Sequence, residues 1–176
     1  LSSGRFTGAR GQSLEIVAPA GIGNSRILLD GLGKGLDELA QQALGGRVYA
    51  RMNSVGELAA TVLLDDGVEN LAAAGAQIAY GARLKSYRFD RYRTKEDSSK
   101  KPTLRTLAIR VDSFAKARRA FAALDKVSEG VFFTRDLVSA PPNDLYAESF
   151  AAETKKLAEL GVKVEVLGEK KMQRLG

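Results

Sequence analysis

The sequence predicts an α/β domain built in three layers, with helices on both faces of a largely parallel or mixed sheet. Two observations lead to this class. Short apolar runs of strand character alternate along the chain with stretches of helical periodicity. The run from Leu58 to Leu64 also lacks the polar alternation of a sheet with one hydrated face, so we expect this strand to be buried on both faces.

Turn residues and periodicity divide the first half of the chain into elements. Pro19 closes the first apolar run, and the glycine turn at 31–35 joins a strand to the helical spacing that starts at Leu36. We therefore predict a loop at 1–12, strands at 14–18 and 26–30, a helix from Leu36, a strand at 58–64 and a helix at 69–85.

A strand at 103–111 leads into a long amphipathic helix at 113–138, which is the last helix of the first domain. Asp112 or Ser113 caps its start, and Pro141 and Pro142 prevent its continuation. At about 26 residues and roughly 1.5 Å per residue it measures about 39 Å, longer than one core layer needs. Its apolar residues recur at steps of three and four, which predicts one buried face formed by Phe114, Ala117, Phe121, Leu124, Val127 and Val131.

We place a domain boundary where prolines break this helix, with one domain at 1–136 and a connector with the first elements of a second domain at 137–176. The second part reads as an amphipathic helix at 146–160 that Gly161 ends. Alternating valines then predict a strand at 162–167, and another helix begins after Gly168.

The composition limits the chemistry available to this chain. Its 176 residues contain no histidine and no cysteine, which removes the usual general base, the Ser-His and Cys-His nucleophiles and any Cys/His metal site. The formal charge of +6 is compatible with an acidic partner, but so modest an excess favours the simpler interpretation of a basic protein. No membrane span or signal peptide is readable, and the lack of cysteine fits a cytoplasmic setting.

Two short motifs have both a functional and a structural interpretation. The glycine turn Gly31 to Gly35 resembles a phosphate-binding loop, but it lacks the Gly-Lys-Ser/Thr ending of one, so a strand-to-helix turn is the favoured interpretation. Asp65 and Asp66 suggest a cation site, yet no third carboxylate follows at a suitable spacing. We therefore interpret both motifs as turns.

The segment that follows the second helix interleaves arginines with aromatic residues. Guanidinium groups bind phosphates and aromatic rings stack on bases, so this pattern is compatible with nucleic-acid contact. It also suits a helix end, where cations face the negative end of the dipole and rings close a core, and this structural interpretation is favoured. The candidate nucleic-acid contacts are Arg83, Lys85, Arg88, Arg91 and Arg93, within a basic cluster at 83–105.

Several stretches resemble the leucyl (cytosol) aminopeptidase family, in the order that the family has them. The resemblance is carried by Gly31 to Lys34 (GLGK), Gly81 to Lys95 (GARLKSYRFDRYRTK), Thr134 to Asn143 (TRDLVSAPPN), Glu148 to Ala151 (ESFA) and Leu160 to Leu167 (LGVKVEVL). These motifs extend over most of the chain. They identify it as the family's N-terminal domain followed by the connector between domains.

The resemblance implies a macro-domain-like first domain and a larger C-terminal domain that performs the chemistry. In this family the second domain binds two divalent metal ions, manganese or zinc, which activate water to release N-terminal residues, leucine prominently, from peptides. The enzymes assemble as homohexamers. None of the family's catalytic motifs, of the KGxxFDSGG and NTDAEGR types, occurs in these residues, so no catalytic or metal-binding position is assigned here.

Two other functions stay open from the sequence. Some family members act on DNA, which would involve the basic cluster at 83–105, and a macro-like fold could bind an ADP-ribose-type nucleotide. We expect no membrane partner. The resemblance favours a domain that serves assembly and organisation of the aminopeptidase.

Overall fold

The computed structural model describes residues 5–23, 25–65 and 67–176. The chain divides into two compact units, Leu1–Gly130 and Val131–Gly176. The first unit contains the strands and helices β1 (Ser13–Val17), β2 (Arg26–Asp30), α1 (Glu38–Ser54), β3 (Ala59–Val62), α2 (Leu71–Lys85), a 3₁₀ turn (Ser98–Lys100) and β4 (Thr106–Ile109). Helix α3 (Phe114–Ser139) spans the boundary, and α4 (Ala147–Lys155), a 3₁₀ segment (Lys156–Leu160) and α5 (Glu169–Leu175) follow.

The predicted α/β class is confirmed, and the strands form two sheets of two strands each. β1 and β2 are antiparallel, with Ser13 opposite Asp30 and Val17 opposite Arg26. β3 and β4 are parallel, with Ala59 beside Thr106. The order β2–α1–β3–α2–β4 therefore contains two consecutive strand–helix–strand units.

The first two helices begin at side-chain caps. The Asp37 carboxylate accepts a hydrogen bond from the Ala40 N–H at 2.7 Å, and the Asn70 side chain accepts one from the Ala73 N–H at 3.2 Å. Each cap satisfies a backbone donor that the first turn of a helix cannot pair internally. The predicted helices from Leu36 and from Glu69 thus each begin two residues later than the apolar spacing alone indicates.

Two glycines let α1 and α2 approach at backbone distance. A Cβ on Gly45 would lie 1.9 Å from the Ile78 carbonyl oxygen, and a Cβ on Gly81 would lie 1.9 Å from the Gln42 carbonyl oxygen. The Gln42 side-chain amide donates a hydrogen bond to the Gln77 side-chain oxygen at 2.9 Å. One turn later along both helices, a Cβ on Gly46 would lie 3.7 Å from the Gly81 carbonyl oxygen. These contacts advance together along both helices, so α1 and α2 run parallel on the same side of the strands.

The buried core of the first unit belongs to these two helices. Leu44, Val48, Met52 and Ile78 form it, and half-buried apolar side chains of the strands and loops lie against it. β3 alternates between exposed and half-buried residues. The prediction that this strand is buried on both faces is therefore wrong, because only the face of Ala60 and Val62 has a helical layer against it.

The buried stripe of α3 differs from the predicted one. Phe114 is 73% exposed and Val127 is 54% exposed, whereas Ser128 is fully buried. The stripe runs through Ala117, Phe121 and Leu124 in steps of four and three, and Ser128 is the next position in that series. Its hydroxyl donates to the Asp125 carbonyl at 2.7 Å, which makes burial of a polar side chain possible.

The second unit is helical throughout its ordered elements. Gly161 ends the 3₁₀ segment with a positive φ of 85°, as predicted for a helix stop. The predicted strand at 162–167 is wrong, since these residues have no regular structure. A strand needs a neighbour to satisfy its backbone groups, and no described residue pairs with this segment.

No helix within the described residues is both long and apolar enough to cross a membrane.

Candidate functional site

The basic segment after α2 is folded around an acidic residue. Glu96 is paired with Arg88, and Arg93 lies 3.5 Å from the same carboxylate. Arg88 also lies 3.6 Å from Asp90. The Glu96 side chain is 10% exposed, so it forms the centre of this ion-pair network and not its solvated rim.

The pKa shifts of this network agree with its geometry. The hydrogen bond from Arg88 lowers the pKa of the Glu96 carboxyl group below its usual value, with Arg93 contributing in the same direction. The same bond raises the pKa of Arg88. Both groups therefore stay charged through the neutral pH range. Their opposite charges hold the residues around Arg88 against those around Glu96.

The other predicted nucleic-acid contacts are dispersed. Arg83 pairs with Asp125 of α3 at 3.2 Å, and Lys85 is the last residue of α2. The guanidinium of Arg91 lies 5.7 Å from the ring centre of Tyr92, whose edge meets Phe89. Arg83, Arg88 and Arg93 are thus engaged with acidic side chains, which favours the structural interpretation, and DNA contact through this cluster stays a prediction.

The glycine turn lies against the chain's N-terminal loop. A Cβ on Gly31 would lie 2.2 Å from the Ala9 carbonyl oxygen, so glycine is required there by close approach of two backbones. A groove of about 210 Å³ lies beside the turn. Its arginines are engaged, because Arg10 donates to the Gly35 carbonyl at 2.7 Å and Arg47 pairs with Asp30 at 2.6 Å.

Asp65, the described residue of the acidic pair, forms an ordinary turn. Asp65 accepts a hydrogen bond from the Gly67 N–H at 2.9 Å, as in a simple turn, and Asp66 lies outside the described residues. Over residues 5–23, 25–65 and 67–176 there is no group of three or more His, Cys, Asp or Glu side chains that could hold a metal ion. The described residues therefore do not fit a two-metal centre, and no catalytic step is assigned to them.

Two residues that hold this region together were not found from the sequence. The Asn53 side chain accepts hydrogen bonds from the Thr103 and Leu104 N–H groups, both at 2.9 Å, and so fixes the approach to β4. Glu96, the partner of Arg88, is the second such residue. Its position eight residues after an arginine, beyond helical spacing, carries no local signal.

These features define an α/β domain with a helical extension. The residues that the structure describes contain no catalytic cluster. The profile of the cytosol aminopeptidase family, N-terminal domain, matches residues 1–96. The chain therefore belongs to the cytosol aminopeptidase family.

Curated relatives extend the similarity over the rest of the chain. A probable cytosol aminopeptidase of Caulobacter vibrioides is 41% identical over 180 residues, covering 100% of this chain and 35% of the relative. One of Gluconobacter oxydans is 43% identical over 175 residues, covering 97% of this chain and 34% of the relative. The chain spans about a third of the length of the curated relatives it matches.

Solved structures share the fold. A mutant of tomato leucine aminopeptidase superposes with a TM-score of 0.78 at 27% identity, covering 97% of this chain and 34% of that one. The bottromycin maturation enzyme BotP in complex with Mn gives a TM-score of 0.73 at 25% identity, covering 98% of this chain and 36% of that one. The likeness includes both units of the chain.

Proposed function

We propose that these residues form the N-terminal, non-catalytic part of a metal-dependent aminopeptidase that removes N-terminal residues, leucine prominently, from peptides. The observation that carries the proposal is the family match at 1–96 together with 41% identity to a curated relative across the whole chain. In this proposal the part of the protein outside these residues binds two divalent cations, manganese or zinc, and provides the catalytic groups.

The proposed role of the 176 residues is organisation of the enzyme. The first domain, at 1–136 in this proposal, folds around α1 and α2, and residues 137–176 form the connector and the first elements of the catalytic domain. A homohexamer and a cytoplasmic location follow from the same family resemblance. The dispersed and mostly paired arginines at 83–93 support this role over nucleic-acid binding.

The test compares the native protein with the 176-residue chain. Intact mass and sedimentation give the length and assembly of the native protein, and hydrolysis of leucyl-anilide is measured with and without added Mn²⁺ or Zn²⁺. We expect metal-stimulated activity and a hexamer for the native protein and no hydrolysis by the 176 residues alone. Metal-stimulated turnover by the purified short chain would overturn the assignment of a non-catalytic role.

A further inference from the structure

The two small sheets of the first unit face the same helical layer. Leu28 of β2, Ala60 and Val62 of β3 and Leu107 and Ile109 of β4 all lie against the cluster of α1 and α2 residues. No backbone hydrogen bond joins β2 to β3 within the described residues. Each of these strands therefore has one edge without a backbone partner there.

Chain connectivity fits an arrangement in which these two edges lie opposite each other in one sheet. Helix α1 connects β2 to β3, and helix α2 connects β3 to β4. The two helices run parallel and pack against each other, so both connections lie on the same side of the strands. Crossovers between parallel strands of one sheet are almost always right-handed, so in a single sheet two of them on one face advance in the same direction. In such a sheet β2 and β4 would lie on opposite sides of β3, and the unpaired edge of β3 would face β2.

The hydrogen-bond pattern identifies the backbone groups on each edge. Just outside the two ends of β2, the Gly31 N–H donates to the Gln12 carbonyl and the Ser25 carbonyl accepts from the Ala18 N–H. Residues 25, 27, 29 and 31 therefore bond to β1, and the alternate residues Arg26, Leu28 and Asp30 direct their backbone groups away from it. In β3, the Leu58 and Val62 carbonyls accept from β4, or from the residue next to it, so Ala59, Thr61 and Leu63 direct theirs away from β4.

An ion pair connects β2 with the residues just before β3. Arg26 at the start of β2 lies 3.2 Å from the carboxylate of Glu57, two residues before β3. Two strands that flank a third are about 9.6 Å apart, at about 4.8 Å per step, and an arginine and a glutamate together span that distance. This ion pair is therefore compatible with one intervening strand.

Burial also indicates an incomplete sheet layer. Among the described residues of the first unit, every buried apolar side chain lies on α1 or α2, while the strand residues that face this core are only half-buried. In an α/β domain the central strands of the sheet are normally among its most buried elements.

We propose that β2 and β3 flank the position of one further strand, which joins both pairs into a single sheet. The strand is a segment of the same polypeptide outside these 176 residues, because the chain spans only about a third of its relatives' length and the remainder can supply it. It is about five residues long, matching β2, and apolar on the side that meets Leu44, Val48 and Ile78. The source of the strand rests on the proposed function, which makes these residues part of a longer aminopeptidase.

Amide hydrogen exchange tests this proposal by its alternation along the strands. In the 176-residue chain, the Leu28 and Thr61 amides should exchange faster than those of Leu29 and Ala108, which bond within the existing pairs. In the full-length protein all four should exchange slowly. If Leu28 and Thr61 still exchange faster than Leu29 and Ala108 in the full-length protein, the proposal is overturned. If the Leu28 and Thr61 amides of the short chain are protected only at high concentration, the strand comes from a second copy, which overturns its intramolecular source.

A proline pair provides a second, independent test. Thr61→Pro removes an N–H directed to the unpaired edge, whereas its neighbour Ala108→Pro removes one bonded to β3, and both side chains lie on the exposed face. In the short chain Thr61→Pro should lower Tm far less than Ala108→Pro, and in the full-length protein the two losses should be similar. Equal losses in the short chain would contradict a free edge.

The outcomes separate this inference from the proposed function. A long, catalytically active native protein in which Leu28 and Thr61 exchange quickly would overturn only the inference. Slow exchange at all four amides in a long native protein without aminopeptidase activity would overturn only the proposed function.

Discussion

A Cβ atom on Gly45 would lie 1.9 Å from the carbonyl oxygen of Ile78, so the backbones of α1 and α2 meet where neither has room for a side chain. A side chain at Gly45 would collide with backbone atoms of α2, which cannot move aside without shifting the helix. Gly46, one residue further along α1, faces the same helix with its nearest neighbour at 3.7 Å, an ordinary van der Waals distance.

Gly45→Ala should therefore destabilise the first unit by about 3 kcal/mol or more, at the upper end of the cost of overpacking a core. Gly46→Ala is the matched control, and it should be neutral or stabilising by up to about 1 kcal/mol because alanine favours helix. Urea denaturation midpoints measure both. Equal midpoints for the two variants would show that the helices are further apart than described.

Asn53→Ala should cost about 2 kcal/mol, because it leaves the Thr103 and Leu104 N–H groups without their acceptor in a partly buried site. The neighbouring Ser54→Ala removes only an exposed hydrogen bond to the Arg51 carbonyl, and its effect should stay within about 0.5 kcal/mol. Thermal unfolding of the two variants measures the difference. A small effect of Asn53→Ala would mean that water replaces the carboxamide at these donors.

Phe121→Ala should destabilise the protein by roughly 2 kcal/mol, less than the cost for a fully buried ring, because Phe121 is half-buried on α3. Phe114→Ala, at the exposed start of the same helix, should change stability by less than about 0.5 kcal/mol. Denaturant unfolding compares the pair. The order of the two effects reports which residues of the predicted stripe are buried, and a reversed order would contradict the described rotation of α3.

Acid should weaken the Arg88–Glu96 pair. The folded-state pKa of Glu96 lies below its unfolded value of about 4.3, so its stabilisation is complete above that pH and is lost as the pH falls through the folded-state pKa. The difference in Tm between the native sequence and Glu96→Gln should therefore shrink between pH 6 and about pH 3. Glu153→Gln, which removes an exposed partner of Lys156, should change Tm little at any pH. A Tm difference for Glu96→Gln that does not change with pH would contradict this role of its charge.

The sequence predicted the elements whose information is local. Helical periodicity and the stops at Gly161 and Pro141 located the helices to within one or two residues at most ends, and the strand at 26–30 agrees with the structure. The family was also predictable, because its motifs occur in order along the chain. These features depend on residues close together in the sequence, so each can be interpreted before the fold is known.

Tertiary structure decided what depends on distant partners. Whether 162–167 becomes a strand depends on a neighbouring strand, and periodicity carries no information about one. Ser128 replaces Val127 in the buried stripe because a serine can bond its own helix and the packing partner sets the rotation. Glu96 and Asp125 decide the fate of the arginines in the basic segment, since a charge is free or paired according to which carboxylates the fold brings within reach.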